Sequence, residues 1–276
     1  MKNIFKSNTI KNFINILNKS EVRILPGTIA FFLFMSIVPL MMLGALIFSK
    51  LSFTLINIVD IFSEMIPSNV YKLLTPILTN VSSNSLSGWY VIVGLVLASN
   101  GTHSLIIASN TLYEIENKSY IYQRIKALIM IIVASTVFFF ILFVLGFGNS
   151  ILNFVLSLEM FNEIGPKIYN MFLILKWPIA IIVIFILIKV LYTLAPDKKI
   201  PSKYVNKGVM FTTIGWVIAT SIYSFYATNI ANYDLIYGSL SSIMVLLIWV
   251  YVMSYILVIG IAINTNIYEL ETKKDT

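Results

Sequence analysis

WYVIVGLVLASNGTHSLIIASNTLY, residues 89–113, is the stretch on which the fold turns. It holds no Asp, Glu, Lys or Arg, and it exceeds the about 20 mostly apolar residues that carry a helix through about 30 Å of hydrocarbon. At about 100° per residue, Asn100, His103, Ser104, Asn110 and Thr111, with Glu114 just beyond, fall within about one third of the helix circumference. Gly94 and Ala98 lie on the opposite side, at the small-xxx-small spacing that lets a neighbouring helix come close. One face is therefore expected to pack, and the other to meet water, ligand or polar partners.

The rest of the chain has the same character. Its 276 residues are 58% hydrophobic and 11% charged, against about 45–50% and about 25% in soluble domains. That is too little charge to cover a water-exposed surface. Zero cysteines exclude a disulfide framework and a thiolate metal site, and a single histidine argues against an imidazole-rich one. The apolar runs are uninterrupted and do not alternate with period two, which excludes a β-barrel. The expected class is an all-α polytopic membrane protein with six transmembrane helices, near 27–49, 89–113, 127–148, 168–194, 208–230 and 239–267. Residues 1–26 form an amphipathic cytoplasmic segment, 27–268 the membrane domain and 269–276 a cytoplasmic tail. The first span is too long for the apolar core of a signal peptide and no small-residue cleavage site follows it, so it is read as an anchor.

Basic residues sort by loop as six crossings require. Lys2, Lys6, Lys11, Lys19 and Arg23 precede the first span; Lys118, Arg124 and Lys126 fall in the second connection; Lys198, Lys199, Lys203 and Lys207 in the fourth; Lys273 and Lys274 in the tail. The opposite side keeps only Lys50, Lys72 and Lys167. Lys-rich loops stay cytoplasmic, so both termini are placed there, in a bacterial cell membrane. The net charge of +7 is read as topology and attraction to anionic lipid headgroups, not as a nucleic-acid footprint. Lys176 and Lys189, inside the fourth span, bracket about 18 Å of helical rise and can snorkel to the two interfaces.

The long outer connection is expected to carry structure. Asn57, Asp60 and Glu64 are spaced as on the polar side of an amphipathic helix over 51–66, ended by Pro67, and a second interfacial helix is expected near 70–81. Covering apolar surface is the simpler reading of these helices, and a lid over an outward opening the functional one. Pro39 and Pro178 sit inside the first and fourth spans, where each removes a backbone hydrogen bond and favours a kink. Their place at the head of each three-span half suggests an inverted repeat, without residue-level similarity between the halves. His103 is read as packed sooner than proton-coupled, since no Asp or Glu sits mid-span to relay a proton. Between the fifth and sixth spans a short outer hairpin carries Asn229, Asn232, Tyr233, Asp234 and Tyr237, with Tyr226 before it; aromatic residues suit that interface.

Four segments in order resemble the YihY/BrkB family of bacterial inner-membrane proteins, once labelled ribonuclease BN. They are Ala30-Phe31-Phe32 with Ser36-Ile37-Val38-Pro39-Leu40; Ser99-Asn100-Gly101 with Asn110, Tyr113 and Arg124; Leu191-Tyr192 with Pro196-Asp197 and Gly208; and Tyr226 through Tyr237-Gly238-Ser239-Leu240 with Trp249, Tyr251 and Gly260 to Asn264. Many members carry an acidic residue near the end of the sixth span, where this chain has Ala262. The resemblance implies a six-span membrane protein for which export or lipid translocation is the usual suspicion. The residues do not favour the nuclease label, because metal-assisted cleavage needs clustered carboxylates or histidines. Here Glu21, Glu114, Glu116, Asp197, Glu269, Glu271 and Asp275 are scattered. Glu114 and Glu116 near Lys118 and Arg124 are expected to form a salt-bridge knot, not a metal site. The chain has no Walker A sequence, and no catalytic residue, cofactor or metal is assigned.

The expected function is transport or flipping of a lipid or amphiphile. The path is assigned to Asn100, His103, Ser104, Asn110, Glu114, Arg124, Tyr226, Asn229, Tyr237 and Asn264. The alternative is a non-transporting scaffold for envelope enzymes or export machinery. Membrane lipids are the expected partners, with a homo-oligomer or envelope-protein partners left open.

Overall fold

The long apolar runs are helices, as their composition demands. A computed structural model describes residues 14–16, 18–50, 88–156, 165–229 and 238–272. Its long helices are α1 (Ser20–Lys50), α2 (Gly88–Leu112), α3 (Tyr120–Leu156), α4 (Gly165–Leu194), α5 (Asn206–Asn229) and α6 (Ser241–Thr272). Single 3-10 turns at Ser202–Tyr204 and Gly238–Leu240 lead into α5 and α6. Each of the six is long and apolar enough to cross a membrane, and no strand occurs among the described residues. The expected interfacial helices near 51–66 and 70–81, and Tyr237, lie outside the described residues.

Several helices run past the spans read from sequence, α3 to Leu156 and α6 to Thr272 among them. α1 begins at Ser20 and α3 at Tyr120, so Arg124 and Lys126 belong to a helix and not to a loop. The reason is that a helix continues past the hydrocarbon edge wherever its polar side chains find partners, and hydropathy alone cannot register that. Neither proline ends its helix: α1 runs through Pro26 and Pro39, and α4 through Pro178.

Consecutive helices pack side by side, and α6 returns to lie on α1, closing the circuit. Helix α1 meets α2 on the face that carries Gly94 and Ala98, and the tightest point is one turn past Ala98, at Gly101. A Cβ on Gly94 would meet nothing nearer than Pro39 Cβ at 4.0 Å, but one on Gly101 would lie 2.8 Å from Leu33 Cδ2. Ala98 is fully buried, and the Ser36 hydroxyl donates to its carbonyl at 2.9 Å. α3 is tied on by the Thr102 hydroxyl, 2.8 Å from the Ala127 carbonyl. Tyr192 of α4 fastens the last two helices: its phenol donates to the Leu257 carbonyl at 2.8 Å and lies 2.7 Å from the Thr212 hydroxyl. The outward faces are apolar, with Ile174, Ile222 and Phe225 largely exposed, as a helix surface solvated by acyl chains must be.

Candidate functional site

Contacts between distant loops define one end of the bundle. There the turn after α2 meets the turn after α4 through Asn110 and Asp197, and Lys19 pairs with Glu114. Tyr204 and Lys198 stand against Tyr268 of α6. The starts of α1, α3 and α5 and the ends of α2, α4 and α6 therefore share one face, as alternating crossings require.

At this end Asp197 collects donors from three parts of the chain. Its Oδ1 accepts from Lys126 Nζ at 2.7 Å; its Oδ2 accepts from Asn110 Nδ2 at 2.7 Å, Gln123 Nε2 at 2.6 Å and the Lys118 N–H at 3.1 Å. The Asp197 N–H donates back to Asn110 Oδ1 at 2.8 Å. Asn117 Oδ1 also takes bonds from Asn110 and Gln123. Lys126 spends its other donors on the Ala195 and Pro196 carbonyls, at 2.8 and 2.9 Å, just past the end of α4 where a cation is favoured. Burial alone would raise the Asp197 carboxyl, but the bonds from Lys126, Gln123, Lys118 and Asn110 outweigh it and hold the pKa at about 2.

This corrects the expected knot of Glu114 and Glu116 with Lys118 and Arg124. Asp197 pairs with Lys126, and Glu114 pairs with Lys19. The reason lies in how α2 ends. Glu114 takes φ 53°, and Ile115 N bonds to Asn110 O while Glu114 N bonds to Thr111 O. That is a Schellman closure with Glu where glycine is usual. The left-handed turn delivers the Glu114 carboxylate to Lys19.

The polar stripe of α2 divides accordingly. Ser104 and Thr111 donate to carbonyls of their own helix, Gly101 and Ile107, and Asn110 is consumed by the network around Asp197. Asn100 is half-buried. Half-buried His103 sets its ring edge-on to Tyr120 at 5.7 Å, and its Nε2 is buried with no partner. Arg124, one turn into α3, reaches the Val96 carbonyl only at 3.4 Å. Tyr226 is exposed, tilted against Tyr223, about 30 Å along α5 from this end. Asn229 is the last residue of α5.

Further unpaired polar atoms lie in α2 and α6. Helix α2 packs chiefly on α1 and α3 and only touches α6; Ser109 and Tyr113 at the end of α2, and Asn264 and Thr265 of α6, each bury a polar atom with no hydrogen-bond partner. Ser109 and Tyr113 are one turn apart at the end of α2. Tyr113 stands edge-on to Tyr268 at 5.9 Å, and Thr265 is on the preceding turn of α6. The Tyr113 phenol and the Thr265 hydroxyl face one another across this contact. Asn264 Oδ1 accepts from Gly208 N at 2.8 Å, which leaves Nδ2 as the unpaired atom. Of these four only Asn264 was assigned to the path from sequence. Ser109 and Thr265 carry no signal in a single chain, because hydroxyls in apolar helices ordinarily bond their own backbone. Asp197 was legible only as a carboxylate just past a span end.

Among the described residues, no three His, Asp or Glu side chains converge as metal ligands would. The family model described as Virulence factor BrkB matches residues 14–276. A ribonuclease-like protein, YfkH, of Bacillus subtilis is 27% identical over 256 residues, which cover 90% of each chain. A UPF0761 membrane protein of Pseudoalteromonas translucida is 22% identical over 90% of this chain and 82% of its own. Another, of Vibrio campbellii, is 24% identical over 94% and 82%. No solved structure matches the chain.

Proposed function

The chain belongs to the virulence factor BrkB family of membrane proteins, and from that premise we propose that it moves a lipid or other amphiphile across the bacterial cytoplasmic membrane, with both termini in the cytoplasm. The observation that carries this reading is a set of buried polar atoms without a protein partner in two helices, His103 Nε2 and Ser109 Oγ in α2 and Asn264 Nδ2 and Thr265 Oγ1 in α6. A buried donor without an acceptor costs about 1–3 kcal/mol. Such groups gain partners when α2 and α6 part, and a polar headgroup can supply them. The network around Asp197 is the complementary part: satisfied throughout, it holds the turns after α2 and α4 together.

Purified protein in liposomes should move fluorescent phospholipid between leaflets faster than protein-free vesicles. Equal rates with intact protein overturn the reading. A scaffold is the second reading, favoured by the complete pairing of Asn110, which leaves that residue nothing to offer a substrate. It requires stable co-purifying partners and activity that survives His103→Ala with Asn110→Ala. The ribonuclease-like name of the Bacillus relative suggests a third reading, which the side chains do not support: Asp197 is enclosed by donors and Glu114 is paired with Lys19. No RNA cleavage that tracks with Glu114→Ala is expected from purified protein.

A further inference from the structure

Arg124 carries a charge that the fold leaves unanswered. Its guanidinium has five N–H donors, no acceptor, and no means of shedding its proton in a protein. The hydrogen bond it makes among the described residues is the 3.4 Å contact with the Val96 carbonyl. That oxygen is already spent: the Ser99 hydroxyl donates to it at 2.7 Å, and helix geometry directs the Asn100 N–H to it as well. Asp197 is neutralised by Lys126 and Glu114 by Lys19, so neither carboxylate answers Arg124.

Three contacts bring polar groups of α2 and α3 together around this charge. The bond to Val96 holds the guanidinium within one turn of Asn100, which is half-buried and makes no side-chain hydrogen bond among the described residues. Val96, Asn100 and His103 share one stripe of α2, at spacing i, i+4 and i+7, and Tyr120 and Arg124 share one stripe of α3. The two stripes meet where the His103 and Tyr120 rings stand 5.7 Å apart, and Arg124 lies within electrostatic reach of His103. Asn100 is the middle residue of α2 (Gly88–Leu112), about 18 Å of helical rise from either end. Towards the start of α2 the stripe continues as Ile92 and Val96, which are 56% and 37% exposed. That is an apolar track leading away from the guanidinium.

We infer that Arg124, with Asn100 beside it, binds a phosphate group part-way across the membrane, on the α2–α3 flank of the bundle. A guanidinium takes phosphate oxygens two at a time, Asn100 adds a neutral donor, and Ile92 and Val96 receive an acyl chain when the phosphate belongs to a lipid. The inference deepens the transport reading and rests on it for the passage of that lipid; the binding chemistry stands on the side chains. A lipid headgroup and a free ion present the same oxygens, and the two sources are separable.

The test uses the full chain, delipidated in neutral detergent, with native mass spectrometry of added phosphatidylglycerol, diacylglycerol and inorganic phosphate. Phosphatidylglycerol should be retained at least about tenfold better than diacylglycerol, which has the same tails and no phosphate. Displacement by millimolar inorganic phosphate assigns the site to the free ion, and persistence in its presence assigns it to the headgroup. Arg124→Gln should lower retention at least about tenfold, and Arg124→Lys by less, since an ammonium keeps the charge and loses the two-pronged geometry. Asn100→Ala should lower it by a smaller factor and guards against misfolding of the Arg124 variants. Lys199→Gln removes a charge from the exposed turn after α4 and should leave retention unchanged. Equal retention of diacylglycerol, full retention by both Arg124→Gln and Asn100→Ala, or an equal loss in Lys199→Gln overturns the inference. Arg124-dependent retention without lipid movement in liposomes would sink the transport reading and leave the site standing; lipid movement with retention indifferent to Arg124 would do the reverse.

Discussion

Asp197 has a side chain with no exposed surface, while Lys126, its ion partner, keeps 15% of its own exposed. Removing one member of such a pair leaves a buried charge uncompensated, so Lys126→Met should cost about 3–5 kcal/mol, read by unfolding in detergent. The pH dependence follows from the carboxyl. Its pKa falls from 3.8 to about 2 in the fold, so the folded state binds fewer protons than the unfolded one in that interval. The stabilisation is present above about pH 4 and is lost as the pH falls through about 2. Asp197→Asn should therefore flatten the acid limb of the stability profile, and an unchanged limb would assign it to other acids. Glu114 gives a separate backbone test. At φ 53° a side chain is strained and glycine is not, so Glu114→Gly should be more stable than Glu114→Ala by about 1 kcal/mol, both having lost Lys19. Lys19→Ala should cost under about 1 kcal/mol, because that pair is exposed.

The crossing of α5 and α6 shows what elements require that composition hides. A Cβ on Gly208 would lie 2.1 Å from the Gly260 carbonyl, and one on Gly260 would lie 2.1 Å from Thr212 Oγ1 and 2.4 Å from the Tyr192 phenol. Backbone cannot yield as a side-chain tip can. Gly208→Ala should therefore cost about 3 kcal/mol or more, seen as a lower melting temperature and loss of a monodisperse peak in size exclusion. All six crossings were readable from runs of apolar residues, since lipid imposes length and hydrophobicity on a helix whatever its neighbours are. Which small residue is tightest was not: Ala98 is buried and bonded to Ser36 of α1, where its spacing puts a neighbour, but the closest contact is at Gly101, decided by the neighbouring Leu33 side chain. The network around Asp197 was equally hidden, because Asn110, Gln123 and Lys126 lie 87, 74 and 71 positions from it. Polar groups at span ends look alike in sequence, and only the packing of α2, α3 and α4 decides which of them meet.

For the whole molecule, the circuit of helices makes orientation testable with one reagent, because the chain has no cysteine. Lys199→Cys, exposed between α4 and α5, should react with a membrane-impermeant maleimide in inverted vesicles and not in intact cells; the opposite pattern would invert the proposed topology. The tie between the turns after α2 and α4 also imposes an order on biogenesis. Lys126 leaves the ribosome well before Asp197, so a nascent chain halted after its third crossing has an ammonium with no carboxylate to meet it. Only when the fourth helix has been inserted can that charge be neutralised within the protein. Truncated chains ending before Pro196 should therefore be short-lived, degraded by membrane proteases before α5 and α6 would have been translated.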